Sequence, residues 1–207
     1  MSELAGKTLL ALGDSLIRGN RLPPGSTWVE LLAQRESMTT FNYGINGNTV
    51  ALVDEASEPM CLRWRQMPPE ADYVVVLGGA NDKRLNVPIG VGDDPEVRTF
   101  TGALRQLGEG LLARYPRAKL LFLTNYCRYP GENAIGVPEV AYVDTMLSVA
   151  EKLGIACFDN YRYSGICFQS DPWMDEGVSL SMTPNRHLSA SAYRYLLPLY
   201  TGLLKNL

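Results

Sequence analysis

The stretch KTLLALGDSLIRG, residues 7–19, decides how the rest of the chain is read. An apolar run of strand length ends abruptly in Gly13-Asp14-Ser15-Leu16, and Gly19 follows a few residues later. A serine directly after a buried strand sits on a tight turn at the carboxyl edge of a sheet, with its hydroxyl exposed and its own N–H near a helix start. A nucleophile belongs in such a place. Taken alone, the four residues fit a polar turn or helix cap equally well.

Working outward, comparable apolar runs recur at 39–43, 72–77, 118–124 and 155–158. The middle ones are continuous enough to be buried on both faces, which favours a parallel sheet. Between the runs lie amphipathic stretches at 27–35, 50–66, 95–115 and 138–153, and a last one follows at 189–205. The order is therefore βαβα, with no repeat and no low-complexity segment. Pro95-Glu96 and Pro138-Glu139 read as helix first turns, since proline is tolerated there and an acid complements the positive helix end. Gly154 reads as a helix stop after Lys152. Segments 81–94 and 125–137 are rich in Gly, Pro and polar residues and read as loops at the carboxyl ends of strands, where ligands bind in open α/β sheets. The longer stretch 159–186 reads as a functional loop or as a loop containing a short helix.

Composition sets the outer bounds. The chain has 207 residues, 46% hydrophobic and 20% charged, with a formal net charge of −3. This is a globular balance expected for one domain spanning 1–207, and it excludes a disordered chain. Neither a basic stripe nor a run of like charges appears, so no nucleic-acid partner is expected. No stretch approaches membrane-spanning length and no basic leader precedes the first apolar run. As given, the chain reads as soluble and cytoplasmic, and as secreted only if a leader has been removed. Cys61, Cys127, Cys157 and Cys167 are widely spaced with no C-x-x-C, so neither a metal site nor a redox motif is indicated and buried thiols are expected. A nucleotide site has no support, for neither G-x-G-x-x-G nor G-x-x-x-x-G-K occurs. No cofactor is called for.

Two more segments bear on the chemistry. The second strand runs into Asn42-Tyr43-Gly44-Ile45-Asn46-Gly47-Asn48-Thr49, and the third into Gly78-Gly79-Ala80-Asn81-Asp82. Both place glycine and asparagine at the same sheet edge as Ser15. Glycine lets a backbone N–H approach an anion closely, and an asparagine amide donates without carrying charge. Together with the Ser15 N–H, they could form a three-donor oxyanion hole, or they are ordinary strand-ending turns. The single histidine, His187, stands just before the last helical stretch and is the one imidazole available as a general base.

With these residues in hand, the chain resembles the GDSL or SGNH hydrolases, serine esterases named for Ser, Gly, Asn and His in separate blocks. Gly13-Asp14-Ser15-Leu16 matches the first block, Gly47 the second, Gly79-x-Asn81-Asp82 the third and His187 the last. The segment from His187 to Tyr193 is similar to the family's approach to its closing helix. The resemblance implies a three-layer α/β/α sandwich around a flavodoxin-like parallel sheet of about five strands in the order 2-1-3-4-5. It also implies roles. Ser15 would be the nucleophile and His187 the base, with the Ser15 N–H, the Gly47 N–H and the Asn81 side chain as oxyanion donors.

One position departs from the pattern. The family has an aspartate three residues before its histidine, and here that residue is Pro184. Asp171 and Asp175 rank first as replacements, followed by Glu176, a backbone carbonyl or the neutral Asn185. A rival register would set Ser179 where the histidine belongs, but His187 carries the better closing-helix pattern. The expected activity is hydrolysis of small acyl esters, acetyl above all, on a small molecule or an acylated carbohydrate. Tyr126, Tyr129, Tyr161, Tyr163 and Trp173 would pack against a sugar, or else serve the core. The alternative, prompted by Pro184, is a carbohydrate- or ligand-binding module of the same fold with impaired turnover. The oligomeric state is left open by the sequence.

Overall fold

A computed structural model describes residues 2–128, 131–168 and 187–207. The elements run β1 (Thr8–Gly13), α1 (Ser15–Arg18), α2 (Trp28–Glu36), β2 (Thr39–Gly44), α3 (Met60–Arg63) with a 3₁₀ turn (Trp64–Gln66), then β3 (Tyr73–Gly78) and α4 (Ala80–Arg84). There follow α5 (Phe100–Arg114), β4 (Lys119–Thr124), α6 (Glu139–Leu153), β5 (Ala156–Phe158), α7 (Asn160–Tyr163) and α8 (Ala190–Lys205). The five strands are all parallel, in the order β2-β1-β3-β4-β5.

The three inner strands, β1, β3 and β4, are buried almost throughout, as their unbroken apolar runs require. Successive side chains leave a strand on opposite faces, so each strand feeds two cores. Leu10, Leu12, Val74, Val76 and Phe122 face α5 and α6, packing with Phe100, Leu104, Leu107, Tyr142 and Met146. Leu9, Ala11, Val75, Leu77 and Leu123 face the other way, towards Trp28, Leu32, Leu196 and Tyr200 of α2 and α8. This is the α/β/α sandwich expected from the sequence. The edge strand β2 instead carries Thr39, Phe41 and Asn42 exposed.

Several boundaries move. The single helix expected over 50–66 does not form. The N–H groups of Val50 and Ala51 are taken by the Asp82 carboxylate, and Pro59 holds the chain extended (φ −69°, ψ 162°) until α3 begins. Helix α5 starts after Pro95-Glu96 because Thr99 caps it, accepting the Gly102 N–H at 3.2 Å. Pro138 caps α6 from just outside its first residue, Glu139. Gly154 ends α6 in the left-handed conformation, as read. The stretch 81–94 opens with the helical turn α4, and α7 is a short helix at the start of 159–186, of which 169–186 lie outside the described residues. No helix among the described residues is long and apolar enough to cross a membrane.

Candidate active site

β1, β2 and β3 deliver their carboxyl ends to one place, and the sequence after each strand determines what is displayed there. After β1, Asp14 caps α1 by accepting the Leu16 N–H at 2.8 Å, which makes Ser15 the first helical residue. Helix α1 lies against the end of β2 so closely that a Cβ on Gly44 would stand 2.2 Å from the Arg18 nitrogen. Only glycine permits that approach. After β2, the chain turns through Gly47 at φ +74° and enters the cleft.

A cleft of about 790 Å³ opens here, and Ser15, Gly47, Asn81 and His187 all line it. His187 Nε2 lies 2.9 Å from Ser15 Oγ, a hydrogen-bond distance for a hydroxyl on an imidazole. Asn20 stands beside this pair, its Nδ2 3.4 Å from each ring nitrogen, while its Oδ1 accepts from Asn46 Nδ2 at 2.9 Å. The Asn81 amide is oriented by three contacts. Its Nδ2 donates to Asp14 Oδ2 at 3.1 Å and to the Asn48 carbonyl at 3.0 Å, and its Oδ1 accepts from Arg84 Nε at 3.2 Å.

Buried charges hold this edge together. Arg63 donates from Nη2 to the Gly13 carbonyl at 2.6 Å, from Nη1 to the Tyr43 carbonyl at 2.8 Å and from Nε to Asn48 Oδ1 at 2.8 Å. One guanidinium thus ties the residue before Asp14-Ser15 to both sides of the Gly47 turn. Burial lowers its pKa to about 10 against the pull of Asp14 and Glu58. Asp82 fixes the Val50 and Ala51 N–H groups, and burial pushes its carboxyl up to about 7. Burial likewise pushes Asp14 up to about 6, opposed by the Leu16 N–H and by Arg128, Arg63 and Arg84.

The four principal residues named from the sequence therefore meet in one cleft. Asp171, Asp175, Glu176, Ser179, Pro184 and Asn185 lie outside the described residues, as do Tyr129 and Trp173. Of the two aromatic readings, packing in the core is the one Tyr126 follows, and none of Tyr126, Tyr161 and Tyr163 lines the cleft. Tyr126 is fully buried with its hydroxyl on that of Tyr200. Sequence reading missed Asn20, Arg63 and Arg84. No sequence signal marked Arg63, since Arg65 stands two residues away and Asp54, Glu55 and Glu58 precede it in the same stretch.

A serine and a histidine thus meet at the carboxyl edge of a flavodoxin-like sheet, and the chain belongs to the GDSL-like Lipase/Acylhydrolase family, whose model matches residues 11–195. No curated protein sequence matches it. Among solved structures, a Lactobacillus plantarum protein is 23% identical with a TM-score of 0.84, covering 99% of each chain. A protein described as a GDSL-like lipase from Bacteroides ovatus is 14% identical with a TM-score of 0.71, covering 98% of this chain and 100% of its own. A carbohydrate acetylesterase family member from Sinorhizobium meliloti is 19% identical with a TM-score of 0.60, covering 96% and 99%. At these identities the likeness is one of fold.

Proposed function

We propose that the protein is a serine ester hydrolase acting on small acyl esters, acetyl above all, carried by a small molecule or a carbohydrate. The observation that carries this reading is the 2.9 Å contact between His187 Nε2 and Ser15 Oγ. Ser15 Oγ attacks the ester carbonyl as Nε2 takes its proton. The N–H groups of Ser15 and Gly47 and the Asn81 amide receive the oxyanion. The C–O bond then breaks, and the imidazolium gives its proton to the departing alcohol. Water, deprotonated by His187, releases the acid from the acyl-serine and restores the hydroxyl. For Asn81 to take part, Nδ2 must share one of the hydrogens now held by Asp14 and Asn48. Asp171 and Asp175 stay the proposed carboxylates behind His187, and loss of activity in one of the two Asp→Asn variants would identify the acid.

The acetylesterase relative from Sinorhizobium supports the acetyl and carbohydrate part of the reading. One observation favours the alternative of a ligand-binding module with little turnover. Both hydrogens of the Asn81 amide are already engaged. Hydrolysis of p-nitrophenyl acetate by wild type beside Ser15→Ala, from about pH 5 to 9, decides between them. Turnover that disappears with Ser15 establishes the esterase. Equal rates from two folded proteins would leave the binding module.

A further inference from the structure

We infer that the cleft selects esters bearing an anionic group, a carboxylate or a phosphate, near the scissile carbonyl, and that Arg84 is the residue that reads it. The inference rests on the esterase reading and adds the substrate class to it.

The first observation is the chemistry of the walls. Beyond Ser15 and His187, the polar side chains of the described lining are all amides and cations, set among Gly47, Ala80 and Ala134. Asn20, Asn46, Asn86 and Asn133 offer neutral donors and acceptors, while Lys83, Arg84 and Arg128 bring positive charge. No aspartate or glutamate lines the cleft among the described residues. The nearby carboxylates are turned to other work. Asp14 accepts from Leu16 and Asn81, Asp82 accepts from Val50 and Ala51, and both are fully buried.

The second observation is where Arg84 stands. Its Nε holds the Asn81 amide, and its Nη2 is 4.0 Å from where a Cβ on Gly47 would be. The guanidinium therefore stands between the two elements proposed to receive the oxyanion, on the wall of the cleft. Arg98, Arg105 and Arg162 each hold a carboxylate on the surface, whereas Arg84 is exposed and forms no ion pair among the described residues. Its one described hydrogen-bond partner is a neutral amide, so no carboxylate occupies its fork, although the buried Asp14 feels its charge. A fork of N–H donors beside an amide-lined cleft matches an oxyanion group on the substrate.

Two matched pairs of esters test this. On the alcohol side, 4-acetoxybenzoate and 4-acetoxyphenyl phosphate are compared with neutral methyl 4-acetoxybenzoate. On the acyl side, the mono-p-nitrophenyl ester of adipic acid is compared with its methyl ester. Values of kcat/KM are measured for wild type, Arg84→Gln, Arg84→Lys and Ser15→Ala. The ratio of anionic to neutral ester in wild type, divided by that in Arg84→Gln, cancels leaving-group differences and any effect through Asn81. A quotient of about ten on one side supports the inference, if it shrinks at high salt and Arg84→Lys retains part of it. The alcohol-side arms then tell carboxylate from phosphate. Quotients near one in both pairs, with Ser15-dependent turnover of the neutral esters, overturn the inference and leave the esterase standing. Turnover that Ser15→Ala does not abolish removes both.

Discussion

The two halves of the site are built by different means. The half holding Ser15, Gly47 and Asn81 rests on groups that sit beside it at the strand ends: Arg63 on three acceptors, Asp82 on two N–H groups and Asp14 between Leu16 and Asn81. The half holding His187 depends on how the last helix docks. Leu188 is buried next to the imidazole, and the Tyr193 hydroxyl donates to the Leu16 carbonyl at 2.7 Å, fastening α8 to the helix that carries the nucleophile. The first half is thus held by polar bonds clustered at the strand ends, and the position of His187 by apolar packing plus one buried hydrogen bond.

The sharpest way to break that contrast is to remove each half's working group. His187→Ala should lower kcat by about 10⁴-fold or more while shifting stability by less than about 1 kcal/mol, and Ser15→Ala with His187→Ala together should cost little beyond either alone. Ester turnover and thermal melts of the three proteins check this. Asn81→Ala should cost on the order of 10²- to 10³-fold in kcat, the usual loss for one oxyanion donor, with KM nearly unchanged. Were the loss under threefold, Asn81 would serve Asp14 alone.

The supports themselves should separate the halves further. Arg63→Met strands the Tyr43 carbonyl and Asn48 Oδ1 and should cost about 3 kcal/mol in urea unfolding, with kcat lowered in the folded fraction. Tyr193→Phe removes one buried bond and should cost about 1 kcal/mol, with a kcat loss of only a few fold. An equal kinetic loss in the two would erase the distinction. Asp14 gives the most pH-dependent effect. Its folded pKa, about 6, lies above the ordinary carboxylate value of 3.8, so the folded state binds the proton more tightly. The cost of burying it ionised is absent below pH 4, grows with rising pH and is complete above about 6. Asp14→Asn should therefore gain stability relative to wild type between about pH 4 and 6, read as a gap in Tm that widens over that range and then levels off. A constant gap would mean that Asp14 does not titrate in that range.

How much of this was legible in the sequence follows the same division. β1, β3 and β4 are apolar throughout because both faces are covered, and their period alone gave a parallel sheet. Gly13-Asp14-Ser15, Gly47 and Asn81 are local turn chemistry, so short motifs record them. The helix expected over 50–66 failed because Pro59, in mid-stretch, lacks an N–H and disfavours helix at the residue before it, so helical residues begin only at Met60. Arg63 was invisible for another reason, since its three acceptors lie on segments that meet it only after folding. Arg84 resembled an ordinary surface cation until Gly47 and Asn81 were placed beside it.

The contact between His187 and Ser15 joins residues 172 positions apart. A loop of that length is closed by the chain as a whole, because no local element favours it and its entropy is recovered only when the sheet and α8 are in place. On refolding from urea, strands and helices will regain their signals before ester turnover returns. Turnover that returns after the structural signals would date the docking of α8, and simultaneous return would place that docking with the formation of the sheet.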